Sequence, residues 1–210
     1  MEILELGRIS YKEGFRRQLE TIDQVISGER EDTLILCEHN PVLTLGANFH
    51  EENLRFPTEE IEQRGIEVVR TDRGGDVTYH GPGQLVIYPI FRLESKDLHQ
   101  WLRYLEETML ITLGKFGITA RRFPPNTGAW VGDEKVAAIG IKVKRWTSMH
   151  GIALNCDNDL AGFNQIIPCG IEGYGVTTLT RLLNHPVTIE EAKPIVIETF
   201  RNTPQTIHGA

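Results

Sequence analysis

Between Gly128 and Cys156 the chain reads as three strands in close succession, and this run limits the fold more than any other. GAWV and EKVAAIGIKVKRW are joined by a Gly132-Asp133 turn, and SMHGIALNC follows as a third strand, which predicts an antiparallel meander. A sheet of this kind must bury a face, and the helical patterns elsewhere in the chain supply the cover. The most regular of them runs from Asp97 to Phe116, with Leu98, Trp101, Leu102, Leu105, Met109 and Leu113 at helical spacing and Gly117 as its stop. From Tyr11 to Ile26 a second helix carries Phe15, Leu19, Ile22 and Ile26.

The remaining elements alternate. DTLILCEH and VLTLG read as short strands, Thr58 to Arg64 as a short helix closed by Gly65, IEVVRT as a strand and QLVIYPIF as a largely buried one. Near the C-terminus Thr188 and Glu191 form a capping-box pattern, but Pro194 removes a hydrogen bond inside that helix, so it is either kinked or starts later. The expected architecture is α/β (α+β): a mixed, largely antiparallel sheet packed with helices. At 210 residues, against about 150 per domain, residues 1–210 are expected to form one domain.

Composition closes off several functions. No apolar run approaches the roughly 18 residues of a membrane span, and MEILELGRIS has acidic residues where a secretory signal has basic ones, which predicts a cytoplasmic protein. A net charge of −7 argues against a broad nucleic-acid footprint. Cys37, Cys156 and Cys169 are too scattered for a disulfide framework or a zinc knuckle, the histidines show no His-x-x-x-His, and no Gly-x-Ser-x-Gly elbow is present. Neither a metal nor another cofactor is expected.

Three places carry chemistry. In RGGDVTYHGPGQ, Gly74 and Gly75 free the backbone for close approach of a ligand beside the donors Arg73, Tyr79 and His80; the same composition also suits a plain hairpin loop. Lys135 shares strand parity with Ala137, Ile139, Ile141 and Val143. It therefore either points with this apolar row, where low dielectric favours the neutral amine, or snorkels to water from the strand's start. The opposite row holds the small residues Ala138 and Gly140, with Gly151 and Ala153 in the next strand, and predicts either a groove for an extended aliphatic chain or ordinary packing. Cys169 stands between Pro168 and Gly170 in a loop where a thiol can meet a substrate, whereas Cys37 and Cys156 lie in or at the end of strands and read as inert.

Taken together, RGGDVTYHGPGQLVIYPI, GAWVGDEKVAAIGIKV, GIALN and NQIIPCGI, in this order, resemble the signature segments of the lipoyl(octanoyl) transferases, the LipB type of octanoyltransferase. The resemblance implies a fold like that of the biotin and lipoate protein ligases. It also implies transfer of an octanoyl group from acyl carrier protein to a lysine of a lipoyl domain, in 2-oxoacid dehydrogenase complexes or the glycine-cleavage H protein. Carried onto this sequence, it makes Cys169 the acyl-thioester nucleophile and Lys135 its activating partner. The substrate-binding stretches become Arg73, Gly74, Gly75, Asp76, Val77, Thr78, Tyr79 and His80, then Ala138, Ile139 and Gly140, then Gly151, Ile152 and Ala153. An ATP-dependent lipoate or biotin ligase is the alternative on the same fold. Lys142, Lys144 and Arg145, with Arg121 and Arg122, offer a basic patch for an acidic carrier or a merely solvated strand face.

Overall fold

The computed structural model describes residues 1–124, 126–167 and 173–206. The chain starts with β1 (Glu2–Ile9), crosses through α1 (Tyr11–Ser27) and returns as β2 (Thr33–His39), parallel to β1. Helix α1 is held at its start by Ser10, whose hydroxyl accepts from the Glu13 amide, and at its end by Gly28 in the left-handed conformation. Then come β3 (Val42–Leu45), α2 (Thr58–Gln63), β4 (Glu67–Arg70), β5 (Val77–His80) and β6 (Gln84–Ile90). Helix α3 (Leu98–Lys115) follows, capped by the Asp97 carboxylate on the amides of His99 and Gln100. The meander is β7 (Gly128–Val131), β8 (Glu134–Lys144) and β9 (Thr147–Asn155), and the chain closes with β10 (Gly175–Val176), α4 (Leu179–Leu183) and α5 (Ile189–Asn202).

Two sheets form. The larger has the order β1-β2-β6-β9-β8-β10, and β7 also pairs with β8; the smaller is β4-β3-β5. In the larger sheet β1–β2 and β10–β8 are parallel and the other pairs antiparallel. One face buries Leu36, Leu85, Ile87, Ala137, Ile152 and Leu154 against Trp101, Leu105 and Met109 of α3 and Val196 and Phe200 of α5. The opposite face buries Ile35, Cys37, Val86, Tyr88 and Met149 against Ile22 and Val25 of α1. The smaller sheet has its own apolar cluster, Leu43, Leu45, Val77 and Tyr79 against Ile61 and Phe163. Because side chains alternate along a strand, Thr44, Thr78 and His80 are left to face away from that cluster.

Four readings change. Residues of MEILELGRIS form β1, an edge strand with no fully buried side chain, and VTYH inside the glycine-rich segment is the strand β5 rather than loop. Helix α5 does not start late. It begins directly after Thr188, whose hydroxyl and the Glu191 carboxylate close the capping box, and it runs through Pro194. Leu19 and Leu98, assigned to the apolar stripes of α1 and α3, are exposed. No helix among the described residues is long and apolar enough to cross a membrane.

Candidate functional site

A cavity of about 460 Å³ lies between the two sheets, a size suited to a small ligand or acyl chain. Its floor is β8 and β9, where the register places Ala138 opposite Ala153 and Ala153 opposite Val86 of β6, so three adjacent strands present short side chains in one row. The segment from Arg73 to Thr78 forms a wall. It is fixed on both sides: Gly46, Ala47 and Asn48 donate amides to the carbonyls of Asp76, Arg73 and Gly75, and the Gly74 amide donates to Ile141 O at 2.8 Å. That bond commits the Gly74 amide to the scaffold, while the Asp76 carboxylate accepts from the His50 amide and the Asn53 side chain.

Gly140 serves this approach rather than leaving room for a ligand. A Cβ there would meet Gly74 O at 2.8 Å and Arg73 Cδ at 3.3 Å. Gly151 is similar, since a Cβ would meet Ile87 O at 2.3 Å and Pro89 Cδ at 2.6 Å. The open part of the floor is therefore the alanine row, and the glycines are points of backbone contact.

Lys135 is buried and lines the cavity, with Nζ 4.9 Å from the centre of the Trp130 ring. It does not share a face with Ala137. The register runs Trp130 to Lys135 but Ala129 to Ala137, so Val136 is an extra residue in a β-bulge. Val136 and Ala137 both join the core under the helices, and Lys135 comes out beside Ala138 on the cavity side. The parity count fails because a bulge adds one residue on one strand only.

Arg73 is buried against β3: Nε donates to Thr44 Oγ1 at 3.0 Å, Nη2 to Thr44 Oγ1 at 2.9 Å and to Thr44 O at 2.5 Å, and Nη1 to Gly74 O at 3.0 Å. His80 donates through Nδ1 to Gln84 Oε1 at 2.8 Å, because the Gln84 amide nitrogen is already spent on Tyr79 O and Asn155 Oδ1. Burial, then the neighbouring His39, hold the His80 imidazole down to about 3, so it is neutral. His150 places Nε2 2.8 Å from Asp72 Oδ1, and burial lowers its pKa despite that carboxylate. Burial opposes ionisation of Asp72 as well, but hydrogen bonds from Lys142 and His150 keep its carboxyl below the usual range.

Of the residues singled out in the sequence, Arg73, Gly74, Gly75, Asp76, Val77, Thr78, His80, Lys135, Ala138, Ile139, Gly140, Gly151, Ile152 and Ala153 meet around this one cavity. Tyr79 does not line it: its ring fills the space that Cβ atoms at Gly81 and Gly162 would occupy, in the smaller sheet's cluster. Cys169 lies outside the described residues. The described residues that flank its segment are anchored beside the site, Ile167 by its amide on Asn53 O and Val176 by pairing with Lys135. Sequence reasoning missed Tyr11, Tyr88, Leu102 and Thr127, which also line the cavity; they come from α1, β6, α3 and the segment just before β7 and carry no local motif. Cys37 and Cys156 are buried, and burial raises both thiols, that of Cys156 to about 12, which leaves them protonated and unreactive.

A model of the lipoyl protein ligase A/B catalytic domain matches residues 10–201. The chain is 44% identical over 203 residues to an octanoyltransferase of Thermoanaerobacter sp. (strain X514), covering 95% of this chain and 88% of that one. With the octanoyltransferase of Geobacter sulfurreducens it shares 43% identity over 206 residues, 97% of this chain and 85% of the relative. Among solved structures, a lipoate-protein ligase A bound with ATP superimposes with a TM-score of 0.77 at 20% identity, covering 96% of this chain and 84% of that one. A biotin protein ligase from Aquifex aeolicus does so at 0.58 and 11%, covering 96% and 69%. At these identities the structures speak for the fold alone.

Proposed function

Because this chain belongs to the octanoyltransferases of the lipoyl protein ligase A/B catalytic family, we propose that it moves an octanoyl group from acyl carrier protein to a lysine of a lipoyl domain through a thioester on Cys169. The observation that carries this reading is the cavity in which Lys135 and Arg73 stand over the Ala138–Ala153 row. A row of short side chains accepts an extended aliphatic chain, and a guanidinium and an amine at its side suit a reacting thioester.

The steps then follow. Lys135 takes the proton of the Cys169 thiol, and the thiolate attacks the carbonyl carbon of the donor thioester. A new C–S bond forms as the donor's C–S bond breaks, and the departing thiolate takes its proton from Lys135. The acceptor amine next attacks the Cys169 thioester, its proton passes to Lys135, and Cys169 leaves as thiolate. The product amide is more stable than the thioester, so the second step runs forward without nucleotide hydrolysis. Negative charge that develops on the carbonyl oxygen lies near Arg73, and preorganised donors typically contribute about 2.7–4 kcal/mol to such a transition state. The Gly74 amide, committed to Ile141, is not among those donors. Lipoyl domains of 2-oxoacid dehydrogenase complexes and the glycine-cleavage H protein are the acceptors in this reading, and the cytoplasm its compartment.

An ATP-dependent ligase is disfavoured, since relatives above 40% identity are octanoyltransferases while the ligases match at 20% or below. The test is incubation with an octanoyl thioester and no nucleotide, followed by intact-mass measurement and peptide mapping. One octanoyl group is expected on Cys169 and none on Cys169→Ala, with turnover of Cys169→Ala and Lys135→Met reduced by about a thousandfold or more. Undiminished transfer by Cys169→Ala sinks the thioester route.

A further inference from the structure

Behind the cavity wall a line of buried polar groups runs in one direction. Arg73 donates twice to the Thr44 hydroxyl, at 3.0 and 2.9 Å, and once to the Thr44 carbonyl. The hydroxyl has one proton of its own, and His80 Nε2 lies 3.5 Å away. That nitrogen must accept, because the ring proton sits on Nδ1 and is given to Gln84 Oε1. Gln84 passes the sense onward by donating to Asn155 Oδ1 at 2.9 Å, which also accepts from Asn158. Every donor therefore points from Arg73 through Thr44, His80 and Gln84 toward Asn155. In such a chain each bond polarises the next. Thr44 is fully buried, and its neighbours Leu43 and Leu45 point the other way into the smaller sheet's cluster.

We propose that Thr44 is a positioning residue for acyl transfer: its hydroxyl, held in one orientation by His80 Nε2, sets the plane of the Arg73 guanidinium at the cavity wall. Resting on the transferase reading above, this assigns to a strand residue outside the cavity lining the task of aiming the positive charge that meets the acyl carbonyl. A valine at this site keeps the shape and the backbone carbonyl but loses the acceptor for two of the Arg73 bonds. The guanidinium then swings within its pocket, which harms the transition state more than ground-state binding.

The experiment measures kcat and KM with an octanoyl thioester for Thr44→Val and Thr44→Ser, each in the wild-type and Arg73→Lys backgrounds. Thr44→Val is expected to lower kcat about tenfold with KM changed by less than about twofold, and Thr44→Ser to stay within about twofold of wild type. In the Arg73→Lys background Thr44→Val should cost less than about twofold more, because the two residues act as one unit. An equal cost in both backgrounds, a serine variant as impaired as valine, or a valine variant with wild-type kcat would each overturn the proposal. Where Thr44→Val gives no folded protein, Thr44→Ala is read in its place; if neither folds, the hydroxyl is architectural and the proposal fails. Failure of the transferase reading is visible separately, as absence of nucleotide-free octanoyl transfer by the wild type.

Discussion

His80 and His150 line one side of the cavity with His39 buried beside His80, and burial disfavours the charged form of all three imidazoles at a cost that depends on pH. His39 gives its Nδ1 proton to Ile9 O at 3.2 Å and accepts the Tyr88 hydroxyl at Nε2 at 2.7 Å, so a second ring proton would face a donor. Burial, opposed by the bond to Ile9, brings its pKa down to about 4, and His80 falls further in the same direction. In the unfolded chain a histidine returns to about 6.5. Between those values the unfolded state binds a proton that the folded state refuses, so the unfolded state gains relative stability as pH falls. The contribution of His39 is therefore complete above about pH 6.5 and is lost toward pH 4, and its size is about 3 kcal/mol. Denaturant midpoints measured between pH 7.5 and 4.5 should drop steadily for the wild type and less steeply for His39→Gln. An unchanged slope in His39→Gln would place the proton uptake elsewhere.

At the scale of elements, α5 holds a conflict that the sequence shows and the fold tolerates. Pro194 has no N–H to give the Glu190 carbonyl one turn back, and its ring crowds that oxygen. The capping box at Thr188 and the burial of Ala192, Val196 and Phe200 against the large sheet outweigh the loss. Pro194→Ala is thus expected to raise stability by about 1–3 kcal/mol, read from the denaturant midpoint, with octanoyl transfer unchanged because α5 packs on the face opposite the cavity. A lower midpoint would show that the proline shapes the packing of α5 instead. The long elements were legible for local reasons: α3 has a full apolar period with an Asp97 cap, and β7 to β9 have tight turns. What was not legible depends on partners distant in the chain. The edge strand β1 buries no side chain completely, β5 lies among glycines, β10 has two residues, and the bulge at Val136 exists only in the pairing with β7. The site divides in the same way: the glycine loop, Lys135 and the alanine row stand out as motifs, whereas Thr44, Tyr11 and Tyr88 become site residues only when two sheets and α1 meet.

Over the whole molecule, the charge pattern bears on how a protein-bound substrate arrives. The sequence suggests a basic patch from Lys142, Lys144, Arg145, Arg121 and Arg122, but four of these five cations have acidic neighbours. Lys142 pairs with Asp72, Lys144 with Asp23 at 2.8 Å, Arg121 with Asp133 at 3.5 Å, and Arg122 with Glu106 and Glu107. Each local dipole falls off faster with distance than a bare charge, and the chain as a whole carries −7, so the surface offers little long-range attraction to an acidic carrier. Recognition in the proposed reaction must then come from short-range fit around the cavity mouth, with little contribution from long-range charge. Two consequences can be measured together. Raising ionic strength from about 0.05 to 0.3 M, which shortens the screening length, should leave kcat/KM for the carrier-bound thioester level or higher. Lys144→Glu/Arg145→Glu should change turnover of carrier-bound and carrier-free octanoyl thioesters by the same factor. If the carrier-bound substrate alone suffered, and its kcat/KM fell with salt in the wild type, the paired cations would be steering the carrier after all.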